Sequence, residues 1–125
     1  MISFEHFTIE DGSPIYSQIV RHIKQGIIAG VIHNREEMPS RRLLSALLGV
    51  NPNTIQKAYR LLEEEGIIES QAGAGSWVTV NEQQIGAIRS QLLEGDVGVL
   101  VKSMKQMEIS KEEAVRLLED IWDEI

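Results

Sequence analysis

Apolar residues recur at helical spacing early in the chain: Ile15, Ile19, Val20, Ile23 and Ile27 fall on one stripe, which predicts a helix with a single buried face. Ser13 and Pro14 stand at its start, a capping side chain before a residue whose fixed φ suits the first turn, and Gly30 is a natural stop. The pattern lapses over "HNREE", which reads as a polar linker. It resumes at Ser40, the start of a short second helix carrying Leu43, Leu44, Leu47 and Leu48 as far as Gly49. Asn51 can cap a third helix with Pro52 at its first position, and Ile55, Ala58, Tyr59 and Leu62 give it an i, i+3, i+4, i+7 stripe ending at Gly66. Two helices joined by "GVN" predict a helix-turn-helix. Beyond it, "IIES" and "SWVTV" are short strand candidates around "QAGAG", whose glycines permit the positive φ angles of a tight loop. That hairpin predicts a wing.

The remaining segment, from Asn81, holds two further helical patterns. Asn81 with Gln84 and Ser110 with Glu113 both have capping-box spacing. Ile85, Ile88, Leu92, Leu100, Met104 and Met107 supply one apolar stripe, with Gly95 and Gly98 as points where the helix could bend or split. Val115, Leu118, Ile121, Trp122 and Ile125 supply the other. The expected fold is mainly α with a small β-hairpin wing: a winged helix-turn-helix over residues 1–80 followed by a helical tail over 81–125.

Composition narrows the function. A chain of 125 residues, 42% hydrophobic, makes one globular domain with a small appendage. The absence of cysteine removes disulfides and thiolate metal sites. The opening "MISFEHFTIEDGSP" lacks the basic and apolar regions of a signal peptide, and no run of eighteen apolar residues occurs. A cytoplasmic protein with no membrane partner is therefore expected. The net charge of -7 hides an uneven distribution. Between Arg35 and Arg60, five basic residues against two acidic leave +3; from Asn81 onward, five basic against ten acidic leave -5. Any polyanion would meet the first region and not the tail.

With Ile55, Ala58, Tyr59 and Leu62 turned to the core, Asn53, Thr54, Gln56, Lys57 and Arg60 are left on the outer faces of the third helix. Short amide and hydroxyl side chains in the first turns of such a helix can read base edges or bind phosphate in a major groove, and the helix N-terminus itself favours phosphate. A solvated polar face would look alike on any surface helix, but the basic island and the glycine wing favour the DNA reading. Catalysis has no comparable support. His6, His22 and His33 are scattered, Glu112 and Glu113 diverge on a helix, and "GAG" lacks the lysine and following helix of a phosphate loop. No metal or cofactor is expected.

The segments "PIYSQIVRHIKQGIIAG", "MPSRRLLSALLGVNPNTIQKAYRLLEEEGII" and "GAGSWV" together resemble the GntR family of winged helix-turn-helix regulators, in the family's order and spacing from Pro14 to Val78. With its short tail the chain resembles the YtrA-type subfamily; there is no room for the large aminotransferase-like domain of a rival subfamily. The resemblance implies DNA contacts at Ser40 (phosphate), Arg42 (a base edge, guanine), Asn51, Asn53, Thr54 and Lys57, and close approach of the wing at Gly73 and Gly75. Gln56 and Arg60 complete the expected surface. Three positions depart from the family: Pro52 replaces a common arginine, Arg35 stands where glycine is usual, and Met38 replaces leucine.

The resemblance further implies a dimerising tail. The tail is too small for its own core and a two-fold DNA reader needs an interface, so Ile88, Leu92, Leu100, Met104, Leu118, Ile121 and Trp122 are its candidate residues. The expected function is a homodimeric repressor on an inverted-repeat operator, with transporter operons a common target of the subfamily; no small-molecule effector can be named from the residues. The alternative is a winged-helix protein-interaction module that does not read DNA sequence.

Overall fold

Helix α1 spans Ile15–Ile28 and buries Ile19, Val20, Ile23 and Ile27, four members of its apolar stripe. Its entry differs from the expected cap. Pro14 occupies the N-cap position, where no side chain caps the helix, and its carbonyl accepts from Ser17 N and Gln18 N. Gln18, from inside the helix, donates to Ser13 O at 3.0 Å and exchanges two hydrogen bonds with the backbone of Glu10. The amide fastens the chain that enters the helix, and the N–H groups of the first turn have no side-chain cap. At the other end Gly30 takes φ 77°, and the chain folds back so that Val31 and Ile32 both donate to Gly26 O. Ile32 then lies on Gly26 so closely that a Cβ there would sit 2.5 Å from its Cδ1.

The computed structural model describes all 125 residues. After α1 come α2 (Arg41–Leu48), α3 (Pro52–Glu64), the strands β1 (Ile68–Gln71) and β2 (Gly75–Val78), then α4 (Glu82–Gln106) and α5 (Lys111–Trp122). Gly49 closes α2 at φ 65°, ψ 35°, the left-handed conformation that a side chain disfavours. Ser45 Oγ fastens the turn by donating to Val50 O at 2.7 Å. The helix-turn-helix follows from that stop and from Asn51, which restarts the chain as α3 with Pro52 in its first turn.

The strands pair antiparallel with Ile68 opposite Val78, Glu69 opposite Trp77, Ser70 opposite Ser76 and Gln71 opposite Gly75. The segment "HNREE" is more than a linker. Val78 N donates to Glu36 O, Met38 N to Ser76 O and Arg35 N to Val78 O, so 35–38 lines the free edge of β2, and Ile2 N in turn donates to Glu37 O. Its polar sequence concealed this because an edge pairing uses backbone groups and needs no apolar alternation.

The chain divides into two compact units, Met1–Arg89 and Ser90–Ile125. The core of the first joins Ile19, Ile23 and Ile27 to Leu44, Ile55, Tyr59, Leu62, Ile68, Val78 and Met38, with Ile2 and Phe4 added from the N-terminal segment. Of the four leucines on α2, only Leu44 is buried; Leu43 and Leu47 are exposed. The first turn of α4 carries the expected reciprocal cap, Asn81 N to Gln84 Oε1 and Gln84 N to Asn81 Oδ1. Gln84 also donates to Gly66 O at 3.1 Å, tying this turn to the end of α3. Helix α4 continues without interruption through Gly95 and Gly98, each of which costs about 1 kcal/mol against alanine and falls short of breaking a long helix. In the second unit Ser110 caps α5 by accepting from Glu113 N at 3.2 Å, and no residue of α5 is buried.

Candidate nucleic-acid interface

Both helices of the helix-turn-helix begin on a side chain that accepts a backbone hydrogen bond. Ser40 Oγ accepts from Leu43 N at 3.1 Å and Asn51 Oδ1 from Asn53 N at 2.8 Å. The cap uses the acceptor of each group and leaves its donor, the Ser40 hydroxyl proton and the Asn51 amide hydrogens, for something outside. Phosphate oxygens only accept, so the remaining capacity matches a phosphate. The expected double duty of Asn51 is therefore chemically consistent: oxygen for the helix, nitrogen for a ligand.

Asn53, Gln56, Lys57 and Arg60 are exposed and Thr54 is half-buried, while Ile55, Ala58, Tyr59 and Leu62 are fully buried. Asn53, Lys57 and Arg60 recur at i, i+4 and i+7, one stripe of α3 opposite its core face. Arg42 is exposed on the first turn of α2, and neither it nor Arg60 has an intramolecular partner. Lys57 is held: its Nζ lies 4.0 Å from the centroid of the Tyr16 ring. That cation–π contact reaches from α1 and was not foreseen, because the two residues are distant in sequence.

Arg41, counted in the basic island, is diverted inward. Its Nη2 donates to Glu63 Oε1 at 2.6 Å, and its guanidinium lies over Tyr59, 4.8 Å from the ring centroid. Tyr59 donates to Pro39 O at 2.5 Å. Burial pushes the Tyr59 phenol well above its ordinary pKa, against a smaller opposing pull from Arg41, so it remains a neutral donor. The exposed cations of the basic island left for a ligand are Arg35, Arg42, Lys57 and Arg60.

At the wing, Gly73 and Gly75 take φ 81° and 86°, and a Cβ at Gly73 would meet nothing within 4 Å. The two expected tip glycines thus answer to backbone conformation rather than to internal crowding. Arg35 also has positive φ, 80°, at the position where the resemblance implies glycine. Its backbone N–H bond to Val78 O, 2.8 Å, holds it there, and its exposed side chain adds charge beside the strand that leads to the tip.

Of the seven candidate interface residues, Leu100, Leu118, Ile121 and Trp122 are exposed, Trp122 to 73%, and Leu92 and Met104 are half-buried. Ile88 is the exception, only 7% exposed. It belongs to the core of the first unit, because α4 begins against that unit before entering the second. Within the second unit, Leu100 and Met104 of α4 and Leu117, Leu118, Ile121 and Trp122 of α5 line an open apolar groove of about 480 Å³. No helix is long and apolar enough to cross a membrane.

Comparison with known proteins places this geometry. The family profile described as "Bacterial regulatory proteins, gntR family" matches residues 15–78. The HTH-type transcriptional repressor YtrA of Bacillus subtilis is 35% identical over 95 residues, covering 76% of this chain and 68% of that protein. A GntR family transcriptional regulator from Listeria monocytogenes superposes with a TM-score of 0.80 at 31% identity, covering 90% of this chain and 98% of its own. The DNA-binding domain of AraR, solved in complex with operator ORX1, is similar over 62% of this chain and 93% of its own, with a TM-score of 0.51 at 30% identity.

Proposed function

Because this chain belongs to the GntR family and is a DNA-binding transcriptional regulator rather than an enzyme, we propose that it is a cytoplasmic repressor that binds an inverted-repeat operator as a homodimer. Repression follows from steric occlusion where the operator overlaps a promoter. The observation that carries this reading is the outer stripe of α3, Asn53, Lys57 and Arg60, flanked by the capped starts of two helices whose spare donors suit phosphate. The repressor named YtrA supports the sign of regulation, and the operator-bound AraR domain supports the mode of recognition.

In this reading Ser40 and Asn51 grip the backbone. Arg42, with its donor fork exposed and unpaired, reaches a guanine edge. Asn53, Thr54, Gln56, Lys57 and Arg60 read or anchor along the groove. The glycines of the wing allow its backbone to approach the adjacent phosphates.

The deciding experiment selects bound fragments from genomic DNA, then measures affinity for the recovered sequence and for random duplex across a salt series. A specific reader loses affinity steeply as salt rises yet keeps its preference for the site. Arg42→Ala should weaken binding to the selected site by about 1 to 3 kcal/mol and change binding to random duplex much less. Equal losses on both duplexes would reduce Arg42 to a phosphate anchor. No enrichment of any sequence would favour a protein-interaction module instead.

A further inference from the structure

The inner face of the wing changes character along its length. Alternation of side chains across the hairpin places Ile68 and Val78 on the face turned to the core, and the next residues on that face are Ser70 and Ser76. Ile68 and Val78 are buried by apolar packing. Ser76 is buried as well, to 4% exposure, and a buried hydroxyl needs a partner. It has one in Ser70 Oγ, 2.6 Å away; Ser70 Oγ donates to Glu63 Oε1 at 2.7 Å, and the same carboxylate oxygen accepts from Arg41.

The proton count fixes the direction of this chain. Ser70 has one hydroxyl proton and gives it to Glu63, so the hydrogen bond between the serines is donated by Ser76. Ser76 therefore leads through Ser70 to one carboxylate in the last turn of α3, and that carboxylate is held in turn by the first residue of α2. Arg41 Nη2 also reaches Ser70 Oγ directly, at the longer distance of 3.5 Å, so the shorter bonds of the link between the outer half of the wing and the helices run through Glu63.

We propose that Glu63 is a positioning residue for DNA binding, fixing the outer half of the wing at the angle from which its tip meets DNA while α3 lies in the groove. Glu63 touches no DNA in this arrangement. It acts through Ser70 and Ser76 on the strands that lead to Gly73 and Gly75. The proposal rests on the reading that the wing contacts DNA, and the test separates the two.

The full-length chain is compared with Glu63→Ala, Ser70→Ala and Ala74→Glu, and with the pairs Glu63→Ala/Ala74→Glu and Ser70→Ala/Ala74→Glu. The probe is the duplex enriched from a random-sequence library by the unaltered chain. Ala74 is exposed at the tip, so glutamate there repels phosphate only if the tip is near it. Ser70→Ala changes an exposed residue and guards against Glu63→Ala failing to fold. Each of Glu63→Ala and Ser70→Ala should lower affinity roughly tenfold, the scale of one charge-assisted hydrogen bond. Each pair should lose less than the product of its single losses, because a loosened wing no longer holds the charged tip against the DNA. Ala74→Glu binding like the unaltered chain would remove the wing from the interface and the proposal with it. A loss in Ala74→Glu that simply multiplies with the others, or full affinity in Ser70→Ala, would leave the wing contact standing and overturn the role of Glu63.

Discussion

Single residues in this chain are asked to do more than one thing, and their chemistry shows which demand wins. Arg35 holds positive φ, which costs a side-chain-bearing residue about 1 to 2 kcal/mol. Arg35→Gly should raise stability by up to about 1 kcal/mol, the relief being offset in part by the freedom glycine gains in the unfolded chain. The same change removes an exposed cation, so affinity for DNA at low salt should fall. A thermal melt and a binding titration check the two halves, and a variant that melts no higher would show that the backbone there is unstrained. Tyr59 makes the second case. Its folded pKa is raised by burial above the ordinary value of 10.0, so the unfolded chain loses this proton first and stability falls as pH rises above about 10. Tyr59→Phe gives up the bond to Pro39 and is less stable at neutral pH, yet its melting temperature should decline less between pH 9 and about 11. Equal declines would mean that Tyr59 does not set the alkaline limit. The sequence showed Tyr59 as a core residue through its place in the helical stripe. It could not show the phenol's partner, a carbonyl 20 residues away, nor that Arg41, one position from Arg42, is spent on Glu63.

At the scale of elements, periodicity and caps made the three helices of the head legible, because each has a narrow apolar stripe and a chemically distinct end. The cap at Ser13 misled because proline can open a helix without a side-chain acceptor before it. The strip 35–38 against β2 escaped notice because it is polar and pairs only through its backbone. The wing was legible from its glycines, and those glycines provide the element's test. Gly75 sits at φ 86°, and a Cβ there would be 3.7 Å from Glu37 Oε1. The space is open but the conformation is strained for any side chain. Gly75→Val should therefore cost about 1 to 2 kcal/mol of stability through the backbone. It should damage operator binding further by turning the tip from its path. Affinity measured well below the melting temperature distinguishes the two effects. A folded Gly75→Val chain with unchanged affinity would exclude the wing from recognition.

The whole molecule poses a question that its head alone does not answer, because a net charge of -5 beyond residue 80 opposes DNA binding unless the tail contributes something else. Helix α5 buries none of its residues, and Leu117, Leu118, Ile121 and Trp122 all stand exposed. Two helices that leave this much apolar surface in water are poorly supported by their own packing. A second copy of the chain can cover the groove formed by Leu100, Met104 and the α5 residues, and two-fold pairing then presents two heads to two half-sites. The second engagement becomes intramolecular, which can raise affinity by a factor of about 10² to 10⁴ without a new DNA contact. The buried Ile88 instructs the choice of variant. A chain cut at Val80 would remove part of the head's core along with the tail, so its failure would be ambiguous. Substitutions in the full chain avoid this. Leu118→Asp places a charge in the groove and Trp122→Ala removes its largest side chain, both far in sequence from the head. If two copies pair through this groove as proposed, the unaltered chain should sediment as a dimer and Leu118→Asp, at the same concentration, as a monomer. The footprint of Leu118→Asp should shrink from two half-sites to weak occupancy of one, and Trp122→Ala should loosen the pair more mildly. A Leu118→Asp chain that remains a dimer and protects both half-sites at full affinity would locate the interface elsewhere and leave this apolar face to a different partner.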